Sequence, residues 1–107
     1  MIGNYVRHPN GYLALVVGVS KSKRLKLLFE DNTVTNISPS KVTPTSLRPA
    51  KQKYFDGNNY LVTGKNRIID LKTGKFCEPK YKQQILDLKG IEQAKEILRN
   101  SQMSLAL

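Results

Sequence analysis

The sequence predicts a mainly β protein with a C-terminal α-helix. Short β-type runs alternate with turn signals over residues 1–44, further short β-type runs follow over residues 54–77, and apolar residues recur every three or four positions after Pro79. A chain of 107 residues has room for one domain, or for a small barrel with an appended unit. We therefore divide it into a basic five-stranded β-barrel (1–44), a connector (45–53), and a β-meander with a C-terminal amphipathic helix that packs on the barrel (54–107).

Five runs in the first unit are predicted strands, at residues 5–8, 12–19, 25–30, 33–37 and 42–43. The second run is apolar at nearly every position, which predicts a strand buried on both faces, and Gly18 permits a bulge in it. In the fourth run, Val34 and Ile37 are the candidates for the core. The segment 38–41 is predicted to form a single helical turn, because Pro39 fixes φ and Ser38 can cap.

These five strands, with a helical turn before the last, resemble the SH3-like barrel in its Tudor or KOW form. The segment 27–33 (LLFEDNT) resembles the apolar strand, acidic turn and strand of Tudor domains. The segment 38–44 resembles the turn that closes such a barrel. The resemblance implies a fold but no single function, since SH3-like scaffolds bind peptides and proteins as readily as nucleic acids.

The second unit combines a meander with a helix. Prolines 44 and 49 predict an extended connector before it. Runs at 60–63, 67–71 and 76–77 are predicted strands, and a turn signal at Asp56-Gly57 precedes them. Pro79 suits the first turn of a helix, and Gly90 is a position where that helix can kink or divide. The apolar face of this helix comprises Tyr81, Ile85, Leu88, Ile91, Ala94 and Leu98.

The charge distribution indicates a polyanionic partner. The net charge is +10, and the first 53 residues hold nine basic residues against two acids, Glu30 and Asp31. Nucleic acid is the first class of partner that such a balance favours, with acidic proteins and anionic membranes second. The densest cluster, which we call the basic tip, joins the second and third predicted strands and consists of Lys21, Lys23, Arg24 and Lys26.

Other side chains extend this predicted surface. The remaining candidates for phosphate contact are Arg7, Lys41, Arg48, Lys51 and Lys53. Tyr5 and Tyr12 flank the first turn and are candidates to stack on exposed bases. We predict a nucleic-acid-binding protein, of DNA or RNA, that uses phosphate contacts with low sequence specificity. The alternative is an adaptor or inhibitor, of accessory or phage type, that docks on an acidic protein, with the C-terminal helix as a further protein contact.

Catalysis is not predicted. His8 and Cys77 are the only histidine and the only cysteine, and they lie in different units. The acids of the second unit are separated singles, and no glycine-rich run has the spacing of a phosphate loop. We therefore expect no enzyme, no cofactor and no metal. A lone cysteine favours a reducing compartment, and no long apolar run or signal-peptide pattern is present, so we expect a cytoplasmic protein with no membrane partner.

Overall fold

The computed structural model describes residues 1–90 and Arg99. In this part of the chain, nine strands form two antiparallel sheets, and one short helix, α1 (Lys82–Asp87), follows them. The prediction of a mainly β fold with a helix after it is confirmed.

The first sheet has the strand order β4-β3-β2-β1-β5, so that β4 and β5 are its two edges. A single 3₁₀ turn, Pro39–Lys41, precedes β5 and confirms the predicted helical turn. The strands are β1 (Tyr5–Arg7), β2 (Leu13–Val19), β3 (Leu25–Leu28), β4 (Val34–Ile37) and β5 (Thr43–Pro44).

Strand β2 is buried on both faces, as its continuous apolar run predicts. On one face, Ala14 and Val16 join a core inside the first sheet. On the other face, Leu15 and Val17 pack towards the second sheet. The pairing with β3 shifts between Val16 and Gly18, which confirms the predicted bulge and leaves Val17 as the extra residue. The core inside the first sheet comprises Val6, Ala14, Val16, Leu25, Leu27 and Ile37.

The prediction that Val34 lies in the core is wrong. Val34 is 39% exposed, whereas Ile37 is buried. Residues three apart in a strand point to opposite faces, so these two side chains cannot both face inward. Thr35, two residues before Ile37, is the half-buried residue on the inner face.

The second sheet is a four-stranded meander in the order β6-β7-β8-β9. Its first strand lies partly in the predicted connector, which therefore ends before Lys51. A tight Asp56-Gly57 turn, with both residues at positive φ, folds the polar run 51–55 onto β7. The strands are β6 (Lys51–Phe55), β7 (Asn58–Val62), β8 (Ile68–Asp70) and β9 (Lys75–Cys77).

One apolar layer joins the two sheets. Leu15, Val17 and Leu28 of the first sheet pack with Ala50, Leu61 and Ile69 in a single cluster. The N-terminal segment adds backbone hydrogen bonds, because the Gly3 amide donates to Val16 O and the Ala50 amide donates to Gly3 O, both at 2.8 Å. Gly3 has φ +95, and a Cβ there would lie 2.9 Å from Ala50 O, so this close approach requires glycine.

Helix α1 covers the far face of the second sheet. Ile85 is fully buried against Tyr60, Val62 and Ile68. The helix ends at Asp87, and Leu88 has an extended backbone, so the helix stops before Gly90. Of the predicted apolar face, Ile91, Ala94 and Leu98 lie outside the described residues.

Candidate nucleic-acid interface

The basic tip is a well-defined hairpin turn. The Ser20 amide donates to Arg24 O at 2.8 Å, and the Lys23 amide donates to Ser20 O at 3.0 Å. Lys23 adopts φ +64, and Ser20 Oγ accepts from the Arg24 amide at 3.1 Å. This backbone holds Lys21, Lys23 and Arg24 with their side chains exposed to solvent. The turn can therefore present three cations to one polyanion.

Beside the tip, a groove of about 380 Å³ opens between the two sheets. Lys26 lines it from the first sheet, Lys72 lines it from the turn between β8 and β9, and Lys75 lines it from the start of β9. We call these three residues the lysine groove. Gly74 explains how they meet, since it is buried with φ +71, and a Cβ there would lie 3.4 Å from Val17 Cγ2. The β8–β9 turn thus packs directly on the bulge of β2.

Sequence reasoning missed Lys72 and Lys75. Both occupy a turn in the sequence, and turn lysines are common on solvated surfaces. Their importance comes from the packing of Gly74 on Val17, a contact between residues 57 positions apart. No local pattern in the chain signals such a contact.

Among residues 1–90, the cations of the tip and the lysine groove form no ion pair with an acid. Within residues 1–90 the ion pairs are Arg67–Glu30 at 2.7 Å and Lys82–Glu78 at 3.5 Å, and neither involves these cations. Asp70 ends β8 next to the groove, and its Oδ1 accepts from the Lys72 backbone amide at 2.8 Å rather than pairing with a lysine ammonium group. The ion pairs of residues 1–90 therefore leave six exposed positive charges in the tip and the groove.

A second opening lies at the other end of the sheet-to-sheet contact. This intersheet cavity of about 320 Å³ has largely apolar walls that include Tyr5, Leu28 and Phe76. The Arg67 guanidinium lies 3.6 Å from the centroid of the Phe76 ring, and its Nη1 donates to Glu30 Oε2. Arg48 and Lys65 are exposed residues of the same lining. An apolar floor with a cationic rim is chemically distinct from the lysine groove.

The structure separates the two predicted stacking residues. Tyr5 pairs with Leu15 and lies in the intersheet cavity, and burial raises the pKa of its hydroxyl while a backbone hydrogen bond with Gly64 acts in the opposite direction. Tyr12 is 70% exposed, and its O accepts from the His8 amide in continuation of the β1–β2 ladder. By strand alternation the two rings lie on opposite faces of the first sheet, so they cannot form one stacking platform.

Lys53 differs from the other predicted basic residues. It is 4% exposed, and its Nζ donates to Leu86 O of α1. Burial, and then the neighbouring charge of Lys51, lower the pKa of Lys53. The expectation that Lys53 contacts phosphate from the surface is therefore corrected. The polar run 51–55 gave no indication that β6 has an inward-facing position at Lys53.

The other predicted cations are exposed but dispersed. Lys41 lies on the 3₁₀ turn, and Arg48 lies at the intersheet cavity. Arg7 Nη1 donates to Gly11 O at 3.1 Å, within its own hairpin. Lys51 and Lys53 lie on the same face of β6, because they are two residues apart in the strand. Helix α1 packs on this face, where Lys53 donates to Leu86 O. Lys51 therefore lies on the opposite side of the second sheet from the lysine groove.

The two reactive side chains have local roles. His8 Nδ1 accepts from the Asn10 amide at 3.1 Å, and its ring meets Phe29 edge-on with centroids 5.5 Å apart. Cys77 packs in the cluster under α1, where burial raises the pKa of its thiol and so disfavours the thiolate. In the described part of the chain, no group of three or more His, Cys, Asp or Glu residues could hold a metal ion. Within the same residues, no helix has the length and apolar character needed to cross a membrane.

Comparison with protein-family models, with curated proteins and with solved structures finds no match to this chain. A functional assignment therefore depends on the chemistry of the side chains that the fold brings together.

Proposed function

We propose that this protein binds nucleic acid through phosphate contacts, using the basic tip and the lysine groove as one surface. The observation that carries the proposal is a set of six exposed cations in the tip and the adjoining groove, unpaired with acids among the described residues. They are Lys21, Lys23, Arg24, Lys26, Lys72 and Lys75. Each phosphate neutralised by such a cation releases condensed counterions, so affinity falls steeply as salt rises.

Low sequence specificity follows from the chemistry of the groove. All three cations of the groove, and five of the six cations of the whole surface, are lysines, which act as point charges on flexible stems. Arginine forks and side-chain amides, by contrast, recognise base edges through paired hydrogen bonds. Phosphate contacts of the lysine type position a nucleic acid without reading its sequence.

The proposal also includes the scaffold, which we infer to be an SH3-like barrel extended by the second sheet. An SH3-like barrel is supported by the strand order β4-β3-β2-β1-β5 and by the 3₁₀ turn that leads into β5. The protein acts in this proposal as a binding protein and not as an enzyme. A reducing, cytoplasmic setting is supported by the presence of a single cysteine in the chain.

The test measures fluorescence anisotropy of labelled duplex DNA, single-stranded DNA and RNA at two salt concentrations. The variant Lys21→Glu/Lys23→Glu/Arg24→Glu should lose binding, because three attractive charges become repulsive, with affinity at least about 100-fold weaker at low salt. All three positions are exposed turn residues, so the variant should keep the parent's circular dichroism and unfolding midpoint.

The matched control is Lys51→Glu/Lys80→Glu/Lys89→Glu, which alters exposed lysines elsewhere and has the same net charge as the first variant. It should retain most of the affinity, because the proposed contact is a surface and not the net charge. Equal loss in both variants would contradict the assigned surface. The adaptor function would be favoured instead if the protein binds an acidic protein and excess unrelated DNA does not displace it from that partner.

A further inference from the structure

The intersheet cavity has the size and lining of a small binding site. Its volume of about 320 Å³ is at the lower end of ligand pockets, which run from about 300 to 1,000 Å³. The walls are mainly apolar and include two aromatic rings, those of Tyr5 and Phe76. Such walls suit a flat group with apolar faces better than a phosphate or a sugar.

Arg67 gives this cavity a stacking surface. Its Cζ lies 3.6 Å from the centroid of the Phe76 ring, and its Nη1 pairs with Glu30 Oε2 at 2.7 Å, so two contacts hold the guanidinium in place. The Arg67 side chain is nevertheless 42% exposed, so part of it faces the opening. Guanidinium planes and aromatic rings are the surfaces on which proteins stack unpaired bases.

The rim of the cavity indicates the charge of the occupant. Glu30, the acid in the lining, is already paired with Arg67. Arg48 and Lys65 are exposed lining residues, and neither belongs to an ion pair among residues 1–90. An apolar site that carries two free cations at its rim is complementary to a flat group carried on an anionic chain.

We propose that the intersheet cavity binds one unstacked base of a single-stranded nucleic acid. The base lies against Tyr5 and the Arg67–Phe76 pair, and the flanking phosphates contact Arg48 and Lys65. This inference rests on the proposed function and adds a preference to it: single strands, whose bases are free, gain a contact that a duplex cannot make. The rim charges favour this occupant over an apolar peptide side chain.

A tryptophan reporter tests the inference, because the chain contains none. Leu47 is 51% exposed and lines the cavity, so Leu47→Trp places one fluorophore at the opening without altering the core. Titration with a single-stranded oligonucleotide should quench its emission by stacking, and the same sequence as a duplex should not. The control is Tyr54→Trp on β6, at a position 59% exposed and outside the cavity, whose emission should not change.

The rim is tested separately with Arg48→Ala/Lys65→Ala. Both side chains are exposed, so the fold should be unaffected. We expect affinity for the single strand to fall about tenfold and affinity for the duplex to stay constant. Anisotropy that reports single-strand binding without quenching of Leu47→Trp would overturn the cavity assignment and leave the proposed function intact. Quenching by an aromatic peptide but not by the oligonucleotide would also overturn it. Absence of binding to every nucleic acid would instead refute the proposed function.

Discussion

The lysine groove and the intersheet cavity are two openings of the same contact between sheets, yet their linings differ in charge. The groove has three lysines and, among residues 1–90, no acid in its lining, whereas the cavity has largely apolar walls and an ion pair among its charged residues. Both depend on one apolar layer, in which Leu15 and Leu61 pack together. The difference shows that the shared core determines where the openings form, and that the turns beside the core determine the charge of each lining.

The two regions also differ in the kind of selectivity they can provide. Lysine charges act over roughly a Debye length and weaken with salt, so in the proposed function the groove attracts any phosphate backbone. Stacking inside the cavity, by contrast, would need close approach of a flat group and would be much less sensitive to salt. In a protein with both regions, the groove would supply the general attraction to nucleic acid, and the cavity would supply the preference for single strands over duplexes.

The largest expected effect comes from loosening the layer that both openings share. Leu61 is fully buried in it, so Leu61→Ala should lower the free energy of unfolding by about 2–5 kcal/mol. Urea unfolding followed by circular dichroism measures the change. Tyr54→Ala, at a position 59% exposed on the neighbouring strand, should change stability by less than about 0.5 kcal/mol. A loss below about 1 kcal/mol in Leu61→Ala would mean that the sheets are held together elsewhere.

Removing the groove charges should have the next largest effect. In Lys26→Ala/Lys72→Ala/Lys75→Ala, the slope of log affinity against log salt should decrease in magnitude by about 3, one for each lost phosphate contact. Anisotropy titrations over a series of salt concentrations measure this slope. The matched variant Lys51→Ala/Lys80→Ala/Lys89→Ala removes the same charge from other exposed positions and should leave the slope nearly unchanged. A slope that changes equally in both variants would show that the groove is not a distinct site.

Lys53 should have the smallest effect on binding, because it belongs to neither opening. Its side chain is buried with Nζ donating to Leu86 O, so Lys53→Met should leave nucleic-acid affinity within about twofold of the parent. An affinity loss as large as that of the groove variant would restore Lys53 to the interface.

The same variant should change the pH dependence of stability. Burial lowers the pKa of Lys53 below its ordinary value of 10.5, so the unfolded chain binds this proton more tightly than the folded protein. The free energy of unfolding therefore rises as pH increases from the lowered pKa towards 10.5, and Lys53→Met should lose this rise. The raised pKa values of Tyr5 and Tyr60 act in the opposite direction at high pH but are present in both proteins. Identical pH profiles would contradict the assigned burial.

The sequence predicts features that are encoded locally. The apolar run of β2, the bulge beside Gly18 and the turn at Pro39 follow from patterns within a few residues, and the structure confirms them. The basic tip is also local, because the same hairpin that forms the turn carries its charges. Strand β6 was missed although an Asp56-Gly57 hairpin signal follows it, since its polar composition obscured an alternation of buried and exposed positions.

The candidate sites were only half predictable, for a physical reason. The lysine groove requires the β8–β9 turn to pack on Val17, and the intersheet cavity requires Arg67 to reach Glu30, 37 positions earlier in the chain. Both are long-range contacts that depend on how two sheets pack, and side-chain composition does not reveal that packing. Tyr5 was predicted to stack on exposed bases together with Tyr12, and its partial burial between the sheets has the same long-range origin.

The double burial of β2 has a consequence for synthesis of the protein on the ribosome. The first sheet is complete once Pro44 has emerged, but its outer face, with Leu15, Val17 and Leu28, has no cover until residues 50–69 follow. During that interval the nascent chain exposes an apolar surface next to strand edges, which is the condition under which chains associate or recruit chaperones. We therefore expect a fragment that ends at residue 49 to be retained by holdase chaperones in a translation extract, and the full chain to be released.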